Sequence, residues 1–173
     1  MLTSEDIKKR FEEIGVLDQF GVKKEVSDLP NHIDDQRGEI ILYACSAFLD
    51  GNTWLMVSTN KKIIFLDKGM IAGLKKIEIP LSKINSISYK SGLVLGEILI
   101  HHGSDSMNLK SIDKKALQPM VDSINNELYK FDKTKNIPTN IVINDSDYNK
   151  KIVEQNNEII MLLSAILNTL ENK

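Results

Sequence analysis

"NTWLMVSTNKKIIFLDKG", Asn52 to Gly69, decides the fold of this chain. Two apolar runs, each the length of a strand, flank a polar knot, Ser58 to Lys62. Trp, Val, Ile and Phe dominate the runs, and these side chains suit a pleated, half-buried surface. Asn60 is the knot residue best able to take a left-handed turn conformation. The stretch reads as a β-hairpin with a lysine-tipped turn. It contains nothing equipped for chemistry, so it reads as scaffold.

The same pattern extends in both directions. Upstream, "EIILYACSAFL" from Glu39 to Leu49 is a long strand, and Asp50, Gly51 and Asn52 form a tight-turn signal. Downstream, Lys68 and Gly69 turn the chain into "MIAGLKKIEIP", a fourth strand with a bulge or bend at Gly73 and a stop at Pro80. In "KINSISYK", strict alternation places Ile84, Ser86 and Ser88 on one face and Asn85, Ile87 and Tyr89 on the other. Gly92 and Gly96 flank "LVL", and "EILIHH" and "SMNLK" close the run around a "GSD" turn. About seven strands joined by short turns indicate an antiparallel barrel or sandwich. A barrel is favoured, because strands this apolar would otherwise leave adhesive edges.

Helices bracket the strands. Thr3 and Ser4, followed by Glu5 and Asp6, give an N-terminal cap with acids in the first turn. Ile7, Phe11 and Ile14 then form one face, and Gly15 is a stop. From Val16 to Asp35 the pattern weakens into a second short helix and a lead-in loop, with Gly21 and Pro30 as punctuation. After the strands, Asp113 caps a helix whose stripe is Leu117, Met120, Val121, Ile124 and Leu128. Pro119 means that this helix either starts near Gln118 or begins at Lys114 and bends. The expected organisation is an N-terminal helical segment at 1–35, a β-rich domain at 36–131, a linker at 132–147 and an amphipathic helix at 148–173.

The last helix carries a heptad seam. Ile152, Ile159 and Ile166 are spaced by seven, and Asn156, Leu163 and Leu170 interleave with them. Asn156 in the seam is suited to fixing register, and the short length leaves stability to a partner. The expected partner is a second copy of the chain. Folding back onto the domain and docking on another protein are the alternatives, and the long linker argues against folding back.

Charge is balanced, 22 basic against 24 acidic residues, net −2, which gives no reason to expect nucleic-acid binding. The single cysteine, Cys45, lies in an apolar run and reads as a core residue in a reducing compartment. The N-terminus has no apolar signal region, and no apolar run reaches the ~20 residues that span a bilayer. A cytoplasmic location is expected.

No grouping suggests catalysis. Adjacent His101 and His102 point to opposite faces of a strand and cannot readily share a metal. His32 is isolated, and the glycine-rich pieces lack a strand-to-helix phosphate cradle. No metal and no cofactor is expected. The candidate contacts for a partner or a lipid surface are Trp54, Lys61, Lys62, Lys75 and Lys76. Trp54 reads as a core anchor, and as a hot spot only if exposed. The lysines read as solvated strand rims or as a weak attraction to anionic lipid. From Glu39 to Phe131 there are 11 lysines and 9 acids, a surplus of only +2.

From Leu29 to Phe131 the chain resembles the bacterial pleckstrin-homology (PH) family of YokE type. The likeness rests on Thr59, Asn60, Lys61, Ile63 and Phe65, then Ile79, Pro80, Leu81, Ile84, Ser86 and Ile87, then Gly92, Gly96 and the helix ending near Leu128. It implies an α+β fold, a seven-stranded antiparallel bent sheet or partly open barrel capped by a C-terminal helix. It also implies a binding or assembly module of bacteria or their phages. Phosphoinositide-binding relatives carry basic residues in the first hairpin loop, whereas "LDGNT" here has no lysine. The expected function is a non-enzymatic scaffold that self-associates through its last helix and presents the barrel to an unidentified protein. The alternatives are a peripheral membrane module using the lysine rims, or a phage or prophage factor inhibiting a host complex.

Overall fold

The computed structural model describes residues 2–17, 25–69 and 73–135, with side chains to residue 131. The chain divides into two compact units, Met1–Thr134 and Lys135–Lys173. Helix α1 is Ser4–Glu13, and two short 3-10 turns follow at Leu29–His32 and Asp35–Arg37. Seven strands come next: β1 Ile41–Leu49, β2 Asn52–Thr59, β3 Lys62–Lys68, β4 Leu74–Pro80, β5 Ile84–Ser91, β6 Leu95–His102 and β7 Asp105–Asp113. Helix α2, Lys114–Lys135, closes the unit.

The strands form one open antiparallel sheet in the order β4-β3-β2-β1-β7-β6-β5. The hairpin read from Asn52 to Gly69 is β2 and β3, paired from Leu55↔Leu66 to Ser58↔Ile63. Asp50 and Gly51, with φ of 48° and 82°, turn β1 into β2. Both central residues at positive φ match the right-handed twist of the two strands. Between β1 and β7 the recorded register is a single pair, Phe48↔Lys110, so the two halves of the sheet meet at a seam.

Two cores result. Cys45, Trp54, Met56, Ile63 and Phe65 face inward with Ile98, Ile100 and Leu109, and Leu117, Met120 and Ile124 of α2 cover them. The other face of β1 to β3 carries Ala44, Leu55, Val57, Ile64 and Leu66, which pack with Ile7, Phe11, Val16 and Leu29. β2 is therefore buried from Trp54 to Thr59, and β3 from Ile63 to Asp67. Simple alternation anticipates one wet face there. The N-terminal segment removes it. Thr3 starts α1 with a capping box to Asp6. The expected second helix between Val16 and Asp35 is, within the described part, the two 3-10 turns.

Corrections concern β5 and Gly73, and α2 takes one of its two expected starts. The β5–β6 register shifts between Ile84 and Ser86. One inserted residue returns Ile87 to the face of Ile84, so both are buried in one core rather than on opposite faces. Helix α2 starts at Lys114 with Pro119 inside it. Pro119 and Lys115, whose carbonyl loses its helical partner, both lie on the exposed side, where water can replace the missing bond. Gly73, with φ of 78°, precedes β4 rather than interrupting it.

Candidate interaction surface

The polar knot works inside the fold. The Thr59 hydroxyl donates to Glu39 Oε1 at 2.8 Å and accepts from the Lys61 and Lys62 amides at 3.1 and 3.0 Å. Asn60 donates to the Gly38 carbonyl at 3.0 Å and accepts from the Ile40 amide at 2.9 Å. Lys61 Nζ reaches the Arg37 carbonyl at 2.6 Å. Glu39, only 4% exposed, also accepts from the Asp34 amide at 2.8 Å. The turn thus bolts the lead-in segment 34–40 to the end of the hairpin.

The other candidate lysines are paired as well. Lys62 lies 3.1 Å from Glu78 and 3.7 Å from Glu39, and Lys76 lies 3.5 Å from Glu78. Lys75 lies 3.6 Å from Asp67, its cross-strand neighbour. Burial acts to raise the Glu78 pKa, but the hydrogen bond from Lys62 and the charges of Lys62 and Lys76 hold it below the usual carboxylate value. Burial, with Lys76 and Lys62 nearby, lowers the pKa of His32. Trp54 is 6% exposed and donates Nε1–H to the Leu49 carbonyl at 3.2 Å. It is a core anchor, and the exposure that would make it a hot spot is absent.

Among the described residues, nothing reactive stands out. Burial pushes the Cys45 thiol up to about 12. Among the described residues, no three His, Cys, Asp or Glu side chains are placed to hold a metal. No helix among them is long and apolar enough to cross a membrane. The oligomerisation candidates Ile152, Asn156, Ile159, Leu163, Ile166 and Leu170 lie outside the described residues.

Two other features mark a surface. The first is the seam. Opposite β6, the register of β7 shifts between the Gly96 and Ile98 pairs, and Ser111 takes a φ of 53°. A non-glycine residue there is strained, and such strain tends to gather where a fold does more than pack. Around this bend lies an open cavity of about 720 Å³, lined by Glu12, Gly15, Leu17, Ser46, Ala47, Phe48, Thr53, Leu95, Ser111 and Asp113.

The second is the β5–β6 tip. Leu93, Val94 and Leu95 are 92%, 67% and 48% exposed. Their backbone is held firmly: the Gly92 amide donates to the Leu95 carbonyl at 3.0 Å, and the Lys114 amide to the Val94 carbonyl at 3.1 Å. A side chain on Gly96 would meet Leu117 Cδ1 and the Lys90 carbonyl, each at 2.5 Å, so this strand sits tight on α2. Leu95 ends the tip and lines the cavity, which joins the two features. The sequence signal was present as three aliphatics between two glycines, where turn formers are the rule.

A family match agrees with the architecture. The family described as Bacterial PH domain matches residues 36–126, just over half the chain. A pleckstrin homology domain from Shewanella amazonensis SB2B is 18% identical, with a TM-score of 0.44 over 61% of this chain and 96% of that one. A DUF1696 family protein with a pleckstrin-homology domain from Shewanella loihica PV-4 is 16% identical, with a TM-score of 0.46 over 64% of this chain and 95% of that one. No curated protein matches the chain.

Proposed function

The chain belongs to the bacterial PH domain family, and from that premise we propose that it is a non-catalytic scaffold, nearest the YokE type, which self-associates through residues 148–173 and presents its barrel to a protein partner. The observation that carries the binding role is the rigid apolar tip at Leu93 to Leu95 beside an open cavity. Large aliphatics held in water on an ordered frame mark a contact surface. Self-association rests on the heptads of Ile152, Ile159 and Ile166 with Asn156, Leu163 and Leu170. Several barrels on one assembly would raise avidity without a strong single site.

Lipid binding through Lys61, Lys62, Lys75 and Lys76 is the weaker reading. Lys62, Lys75 and Lys76 already face carboxylates, and Lys61 is bonded to a carbonyl. The test of the proposal is light scattering on the full chain and on a Leu163→Asp, Ile166→Asp variant. A lower mass for the variant is expected. Equal masses would refute helix-driven assembly.

A further inference from the structure

Two local rules are broken at one end of the molecule. Leu93 and Val94 occupy a hairpin turn, where Gly, Asn and Asp are the usual residues. Lys114 and Lys115 start α2, whose first turn has no acid, although the helix dipole disfavours cations there. Local rules are broken most readily where function requires it. The two departures are in contact, through the bond from the Lys114 amide to the Val94 carbonyl. Lys90, Lys114 and Lys115 are exposed and have no ion pair among the described residues; Glu97 lies opposite Lys90, and Asp113, which precedes Lys114, accepts from the Lys115 amide at 2.8 Å.

Next to this convex, lysine-flanked tip is a concave site of opposite character. The seam cavity offers Leu17, Phe48 and Leu95 as apolar wall and carries Glu12 and Asp113. Its volume, about 720 Å³, falls in the ~300–1,000 Å³ range of binding clefts.

We propose that the β5–β6 tip and the seam cavity are the two halves of a two-fold interface between copies of this chain, each tip seated in the other's cavity. A two-fold interface needs one patch that is complementary to itself. A basic apolar projection adjoining an acidic apolar hollow, sharing Leu95, meets that need in shape and charge. A bilayer is a poorer occupant, because Glu12 and Asp113 would face anionic headgroups beside the inserted tip. This contact is independent of the heptads and does not rest on them.

The test uses the full chain carrying Leu163→Asp and Ile166→Asp, which silences the heptads. Sedimentation over a concentration series should show a monomer–dimer equilibrium. Leu93→Asp should weaken it by roughly a hundredfold, since two tips are lost per dimer. Lys114→Glu with Lys115→Glu should weaken it, and so should Glu12→Lys. Each of these charges suits its helix end, so folding is spared. Mixing those two variants should restore a heterodimer, because both tip-and-cavity contacts then regain opposite charge. A monomer at every concentration, or a dimer indifferent to Leu93→Asp, overturns the interface. Failure of the mixed variants to pair overturns it too. Sedimentation with anionic vesicles that depends on Leu93, without any dimer, reassigns the tip to a membrane and equally overturns it.

Discussion

Replacing Glu39 with alanine should unlatch the end of the β2–β3 hairpin. The carboxylate is nearly inaccessible and takes charge-assisted bonds from Thr59 Oγ1 and the Asp34 amide, both at 2.8 Å. Bonds to a charged group contribute about 1.5–3 kcal/mol each. Water entering the space left by the side chain recovers part of that. Lys62, at 3.7 Å and mostly buried, adds at most about 1 kcal/mol. A net loss of about 3–4 kcal/mol is therefore expected, a large share of the ~5–15 kcal/mol that holds a domain folded. Glu39→Gln keeps the shape and one acceptor but turns an amide donor toward a donor, so about 1–2 kcal/mol is expected. Urea unfolding followed by fluorescence reports both values, because Trp54 is the single tryptophan and lies in the core. A Glu39→Ala loss below about 1 kcal/mol, with the denaturant slope unchanged, would refute the view that the knot is a structural latch.

Three further outcomes follow from packing and titration. Gly96→Ala should destabilise by about 1–3 kcal/mol in the same urea assay, since its methyl would meet both Leu117 and the rigid Lys90 carbonyl. His32 has a folded pKa below its unfolded value of 6.5, so the unfolded chain binds the proton first. Stability should therefore fall as pH drops below about 6.5 toward the folded pKa, and His32→Asn should flatten that part of the curve. The Cys45 thiol, pushed up to about 12, should resist a thiol reagent at pH 8 in the folded protein and react promptly in urea.

The strands and turns were legible because they are local. Asp50 and Gly51 announce their turn, and the apolar runs on either side of Asn60 are long enough to name themselves. What escaped depends on distant partners. The bulge that brings Ile84 and Ile87 to one face is set by pairing with His101 and His102, not by the spacing of KINSISYK. Lys61 and Asn60 look solvated until residues 37 to 40 return beside them. Phe48 and Leu95 are far apart in the chain, and only the seam puts them on one cavity.

The doubly covered β2 and β3 also bear on how this protein can be cut. The family boundary falls at residue 36, yet Ile7, Phe11 and Leu29 lie before it and pack on Leu55, Val57, Ile64 and Leu66. A fragment trimmed to the family limits would emerge with an oily back. Such a fragment should clump or demand detergent, however faithfully it preserved every strand.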